Sequence, residues 1–179
     1  MNLGNVVLCG VRAERLVMSL VGVALLAAMG IFGGGCASPG RYDVSVAQDE
    51  KLKGAAMEVD IIGVNNEAAL ADWETVDVGK YFSTSPDSKR SNTANRYTMK
   101  FSPNSPTTQT LSAQDKVWEA WQKPRWLIIL ADIPQYASTG NDKRRVKLST
   151  MTDHWEGKLL SAQVSPSGVS VLTPEKTPH

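Results

Sequence analysis

Residues 125–132 read Arg-Trp-Leu-Ile-Ile-Leu-Ala-Asp, the most apolar run in the chain beyond residue 36. A strand with one face in water alternates apolar and polar residues, because successive side chains point to opposite faces. The stretch from Trp126 to Ala131 does not alternate. It predicts a central strand covered on both faces, and so a fold with a layer on each side of it. Outward from it, Met57 to Val64 (MEVDIIGV) alternates Met57, Val59 and Ile61 against Glu58 and Asp60, then turns apolar on both faces. This predicts the first core strand. Tyr97, Met99 and Phe101 alternate with Arg96, Thr98 and Lys100, the pattern of a strand with one wet face, and Val146 and Leu148 alternate within 145–149 as on an edge strand. Residues 158–164 and 169–173 flank Ser165-Pro166-Ser167-Gly168, whose proline at the second position and glycine at the fourth suit a type I turn. The chain therefore closes as a hairpin.

Helices are short in this reading. Asn65 or Asn66 can cap one that runs through Ala68, Leu70 and Trp73, with Glu67 near the positive end of its dipole. A second turn covers 76–82, and 83–95 is a polar loop. Ser112 followed by Asp115 approximates a capping box, and Val117, Trp118 and Trp121 share a helical face, so a helix is expected over 113–123 and Pro124 stops it. The fold class is mainly β with short helices, a β-sandwich. Residues 55–174 form the expected globular domain and 175–179 a tail. Residues 36–54 are polar and mixed in charge, which predicts a tether with a short strand at 42–46.

The first 35 residues stand apart. Arg12 and Arg15 precede Leu16 to Phe32, a stretch without charge, in the arrangement of a signal peptide. Gly33, Gly34 and Gly35 then lead into Cys36, Ala37 and Ser38, a small-residue patch that a peptidase can bind extended. Small residues followed by Cys resemble the lipobox of bacterial lipoproteins. That resemblance implies that Cys36 carries diacylglycerol and becomes the first residue of the mature chain. It also implies an outer-membrane location facing the periplasm, since Ala37 follows the acylated position where an Asp would mark inner-membrane retention. Two other readings compete: an uncleaved signal anchor, because the apolar stretch sits at the lower edge of a membrane-spanning length, and an ordinary cleaved signal. With Cys9 removed and Cys36 acylated, the mature chain has no thiol left for an intrachain disulfide.

The whole chain holds 19 Lys+Arg and 18 Asp+Glu; residues 1–35 take Arg12, Arg15 and Glu14, leaving 17 of each sign. That balance argues against a nucleic-acid binder, which needs clustered excess cations. Catalytic groups are scarce as well. His154 has only its neighbour Asp153 to orient it, and neighbours on an extended chain point apart. The carboxylate pairs Glu58/Asp60, Asp72/Glu74 and Asp115/Glu119 each fall on the polar side of an amphipathic element, where nothing raises a pKa for acid–base work. No catalytic residue, metal site or cofactor is expected. Lys143-Arg144-Arg145 reads as edge-strand protection, or as a contact for lipid headgroups. Trp73, Trp118, Trp121 and Trp155 are candidates for a partner-binding or glycan-binding patch, because Trp is enriched at binding hot spots; Trp118 and Trp121 also suit a core between helix and sheet.

The order of lipobox, tether, strand, helical insertion, a strongly apolar strand ending in Ala131-Asp132 and a terminal hairpin resembles the small outer-membrane lipoprotein of type VI secretion systems. The resemblance spans about residues 36–173. It implies a transthyretin-like sandwich in which a loop holds a protein of the inner-membrane complex, and no residue of that contact can be matched here. The leading expectation is a non-enzymatic envelope scaffold, tied to membrane lipid through Cys36 and to a protein partner. A periplasmic ligand- or glycan-binding module using exposed tryptophans is the alternative, followed by a hydrolase using His154 or a carboxylate pair.

Overall fold

The computed structural model describes residues 37–137 and 142–176. Cys36, the expected signal segment 1–35, residues 138–141 and residues 177–179 lie outside them. Two four-stranded sheets face each other. One carries β3 (Tyr97–Phe101), β2 (Met57–Val64), β5 (Trp126–Ala131) and β6 (Arg145–Ser149) in that order. The other is ordered β4 (Thr108–Leu111), β1 (Asp43–Gln48), β7 (Leu159–Ser165) and β8 (Gly168–Val171). The first sheet is antiparallel throughout, whereas β1 and β7 run parallel.

The apolar run is central, as its composition requires. Leu127, Ile129 and Ala131 of β5 point between the sheets with Val59 and Ile61 of β2. Ile128 and Leu130 point the other way with Ile62 and Val64, into a second core closed by α1 (Glu67–Glu74) and α2 (Val78–Phe82). Leu70, Trp73, Val78 and Tyr81 of these helices supply its far wall. Asn66 caps α1 by accepting from Ala69 N at 2.9 Å, and Asp77 caps α2 by accepting from Lys80 N at 3.0 Å.

Three expectations need correction. Residues 43–48 are not a tether with a marginal strand: β1 lies inside its sheet, paired to β4 on one side and β7 on the other, with Val44 and Val46 fully buried. Ordered pairing begins earlier still, since Gly40 N donates to Thr150 O at 2.7 Å and Thr152 N to Ser38 O at 3.1 Å. The expected helix over 113–123 contracts to one turn, α3 (Val117–Ala120). Asp115 accepts from Val117 N, and Gln122 and Lys123 take positive φ of 53° and 59°, which stops the helix before Pro124 is reached. Thr108–Leu111, where no strand is expected from the sequence, is β4, an edge strand that buries Leu111 and keeps its threonines outside.

The short α3 segment plugs one end of the sandwich. Trp118 and Trp121 enter between the sheets and meet edge to face, 5.2 Å between ring centroids. Their indole nitrogens donate to Ser112 O at 3.0 Å and Asn95 O at 2.9 Å. Trp121 lies directly over Gly63 of β2, where a Cβ would come 2.4 Å from its Cγ. Glycine is required there because the indole occupies the space a side chain would take.

Candidate functional site

The four tryptophans proposed as a binding patch are interior. Trp73, Trp118, Trp121 and Trp155 are 8%, 1%, 3% and 3% exposed. Stacking on a sugar or gripping a partner needs an open ring face, and none of these rings has one. Trp155 donates to Ser149 O at 2.6 Å, and Trp73 is covered by the Lys89 ammonium 4.1 Å from its ring centroid.

His154 keeps 39% of its side chain exposed and faces Glu175 Oε1 at 3.3 Å rather than Asp153. Glu74 pairs with Lys147 at 2.7 Å across to the neighbouring strand. Asp72 and Glu119 are exposed, and Asp115 serves the α3 turn. In the basic triplet, Arg144 is held by Asp142 at 2.6 Å and Arg145 donates to Val76 O at 2.7 Å, so these two side chains brace the edge of the sheet. Among the described residues no group of His, Cys, Asp or Glu is placed to hold a metal ion.

The third carboxylate pair departs from its expected solvated place. Asp60 is fully buried on the outer face of β2. Its Oδ2 accepts from Tyr81 Oη at 2.9 Å and from Arg90 Nε at 2.7 Å; its Oδ1 accepts from Thr98 Oγ1 at 2.6 Å and from Arg90 Nη2 at 3.3 Å. Arg96 Nε stands 3.6 Å from Oδ2. Glu58, two residues back on the same face, takes the other side of Arg90 Nη2 and meets Lys100 Nζ at 3.1 Å. Three cations thus meet two carboxylates beneath 83–95, and this segment also bonds to itself. Arg96 Nη1 donates to Arg90 O at 2.9 Å and Thr93 O at 2.6 Å, and Thr93 Oγ1 to Lys89 O at 2.7 Å.

The electrostatics follow from this packing. Burial opposes the charge on Arg90, but the hydrogen bonds to Asp60 and Glu58 outweigh it and strengthen its hold on the proton. Tyr81 is pushed far above its ordinary value by burial, then by the adjacent Asp60 carboxylate, so it stays a phenol and a donor. Burial raises Glu58, yet Arg90 and Lys100 together lower it below its usual value. Asp142 is lowered first by its hydrogen bonds from Arg144. A carboxylate with a depressed folded-state pKa contributes stability that is present above its unfolded pKa and lost as pH falls through the folded value. Urea midpoints are therefore expected to be flat near neutrality and to fall below about pH 4. Removing Glu58 and Asp142 together should flatten that fall.

Asp60 cannot act as an acid or base on a substrate, since it has no exposed surface and its oxygens accept from Tyr81, Arg90 and Thr98. The cluster fastens the 83–95 segment and α2 to the sheet. Between them lies a groove of about 250 Å³ with Val76 and Tyr81 as its apolar floor and Asp77, Lys80, Asp87 and Lys89 around the rim. Sequence reasoning missed Asp60 because Arg90 and Arg96 are far away in the chain. One local signal was available: the face that carries Glu58 and Asp60 continues as Ile62 and Val64, so something must cover it.

Comparison with protein-family models and with curated proteins finds no match. Solved structures do show a likeness of outline. The C-terminal domain (869–1107) of the type VI secretion protein TssM from EAEC aligns with a TM-score of 0.49 and 11% identity, over 73% of this chain and 99% of that one. The type VI lipoprotein TssJ1 from Pseudomonas aeruginosa gives 0.46 and 11% over 78% and 99%. Serratia marcescens Lip, a membrane-bound component of the type VI secretion system, gives 0.44 and 11% over 73% and 97%. Likeness of this degree transfers no site residue to this chain.

Proposed function

We propose that this protein is an envelope lipoprotein of the outer membrane, acylated at Cys36, whose periplasmic domain is a non-enzymatic scaffold in a secretion-system assembly. The groove beside 83–95 is its partner-binding surface. The observation that carries this reading is the Asp60 cluster: an ion network centred on a fully buried carboxylate makes a rigid platform out of a polar segment. A scaffold needs a surface whose shape is fixed before the partner arrives, since ordering a loop on binding subtracts from affinity. A rim of mixed charge around an apolar floor fits a protein surface better than a small molecule. The lipobox-like segment before Cys36 and the architectural resemblance to the type VI lipoprotein family point the same way.

Photo-crosslinking in intact cells tests the platform. A photoreactive residue at Asp87 in the groove is expected to capture one envelope protein, and the same residue at Thr108 on the far sheet is not. Capture is expected to disappear when Lys80→Glu reverses the rim charge. Equal capture from both positions, or capture from Thr108 alone, would assign the partner to another surface.

A further inference from the structure

We propose that the rim where the chain enters the domain is a membrane-contact foot, in which Arg41, Lys158 and Lys176 take the phosphates of anionic phospholipid headgroups and Leu159 and Leu172 rest on the interface. This rests on the reading of Cys36 as the acylated residue.

The expected tether is largely absorbed into the fold. Ser38 O accepts from Thr152 N, Pro39 pairs with Met151, and Gly40 N donates to Thr150 O. Tyr42 Oη donates to Met151 O at 3.1 Å, and Asp43 N to Lys158 O at 3.0 Å. Two residues of extended chain span about 7 Å. A lipid on Cys36 would therefore be held within about that distance of the pinned Ser38, and the domain must lie on the bilayer surface.

The surface at that place suits the contact. A cavity of about 380 Å³ opens there, lined by Gly40, Tyr42 and Thr152 together with Arg41, Lys158 and Lys176. None of these three cations has a carboxylate within salt-bridge distance among the described residues. Lys176 Nζ donates to Thr152 O at 3.0 Å, which fixes its position and leaves its charge unneutralised. Asp153 and Glu156 lie on the adjoining turn, and Glu175 is engaged by His154. Among the described residues the exposed large hydrophobic ones are Leu159 and Leu172, at 49% and 56%. Leu172 N donates to Ser161 O, which places Leu172 across from Ser161. Leu159 is two residues before Ser161 on β7, so both leucines share the outer face beside Lys158. Two exposed leucines at the lipid-attachment end, next to three unneutralised cations, match an anionic interface.

Three cations near an anionic surface together favour the docked orientation about a hundredfold. The test uses the processed full chain purified from membranes, with its acylation checked by mass, carrying an environment-sensitive fluorophore on Leu172→Cys or, at the opposite end, on Lys53→Cys. Each variant is reconstituted into phosphatidylcholine vesicles with or without phosphatidylglycerol, and quenching by lipids spin-labelled near the headgroup is read. The label at 172 is expected to be quenched in the anionic vesicles and the label at 53 is not. Adding Arg41→Glu and Lys158→Glu should abolish the quenching. Equal quenching in pure phosphatidylcholine, or quenching that survives charge reversal, would overturn headgroup recognition. An acylated protein whose label at 172 stays unquenched on vesicles, or is shielded only in cells by another protein, would overturn the foot and leave the lipid reading standing. A mass without acylation would remove the basis for both.

Discussion

Asp60→Ala is expected to cost about 3–5 kcal/mol of folding stability, because it strands charged arginines beneath the 83–95 segment. Arg90 Nε, Thr98 Oγ1 and Tyr81 Oη lose their acceptor at once, and Arg90 Nη2 keeps only Glu58. Out of the ~5–15 kcal/mol that hold a domain together, this is a large share. The loss should be local as well as global. Amide exchange in 83–95 is expected to speed up more than in β5, since that segment is tied down chiefly through Arg90 and Arg96. A companion variant separates charge from packing: Asp60→Leu combined with Arg90→Met and Arg96→Met removes the ions together, and should recover much of the stability while loosening the platform. If Asp60→Ala melts within about 1 kcal/mol of the parent, the cluster is not the fastening described.

The second large effect is expected between the sheets. Trp121→Ala removes a buried ring from between the sheets and should cost about 3–5 kcal/mol, the amount associated with a large aromatic truncated in a core that relaxes only partly. Gly63 makes a sharper test. A Cβ at Gly63 would stand 2.4, 2.6 and 2.7 Å from Trp121 Cγ, Cδ2 and Cβ, the near end of that side chain and unable to swing away. Gly63→Ala alone should therefore be destabilising, and in the Trp121→Ala background nearly harmless. The two changes should be strongly non-additive, as expected for residues that share one space. Additive costs in a double-mutant cycle, or a Trp121→Ala protein that melts like the parent, would mean that the indole is not the plug.

Much of the sandwich was legible in the sequence, and the reasons are physical. Trp126 to Ala131 lacks alternation because both of its faces are covered, by the opposite sheet and by α1 and α2. Met57–Val64 and Arg145–Ser149 were legible in their full extent, the first because it alternates to Ile61 and then turns apolar on both faces, the second because Val146 and Leu148 alternate with polar residues. What stayed hidden depends on partners remote in the chain. β1 has a visible period-two pattern in Tyr42, Val44 and Val46, yet its inside position is created by parallel pairing to β7, more than a hundred residues later. Nothing local announces it. β4 reads Thr-Gln-Thr-Leu, with a single buried side chain to mark it as a strand. The α3 region carried a sound helical pattern that backbone geometry at Gln122 and Lys123 cut short.

The site was less legible than the fold. Glu58 and Asp60 looked like a solvated face because alternation reports only that two side chains point the same way, not what lies over them. The tryptophans looked like a binding patch because composition cannot distinguish a hot spot from a core. Trp118 and Trp121 also suited a core, and burial at 1% and 3% decides for it. Cys36, the residue on which the membrane reading depends, lies outside the described residues and is carried by sequence alone.

Anchoring in the envelope depends most on that residue. The direct measurement is metabolic labelling of cells with a fatty-acid probe, followed by the intact mass of the protein recovered from the membrane fraction. The expected result is a labelled protein that begins at Cys36 and carries the acyl groups there, with no label on Cys36→Ser. Label that persists on Cys36→Ser, or an unmodified chain with another first residue, would contradict the central claim.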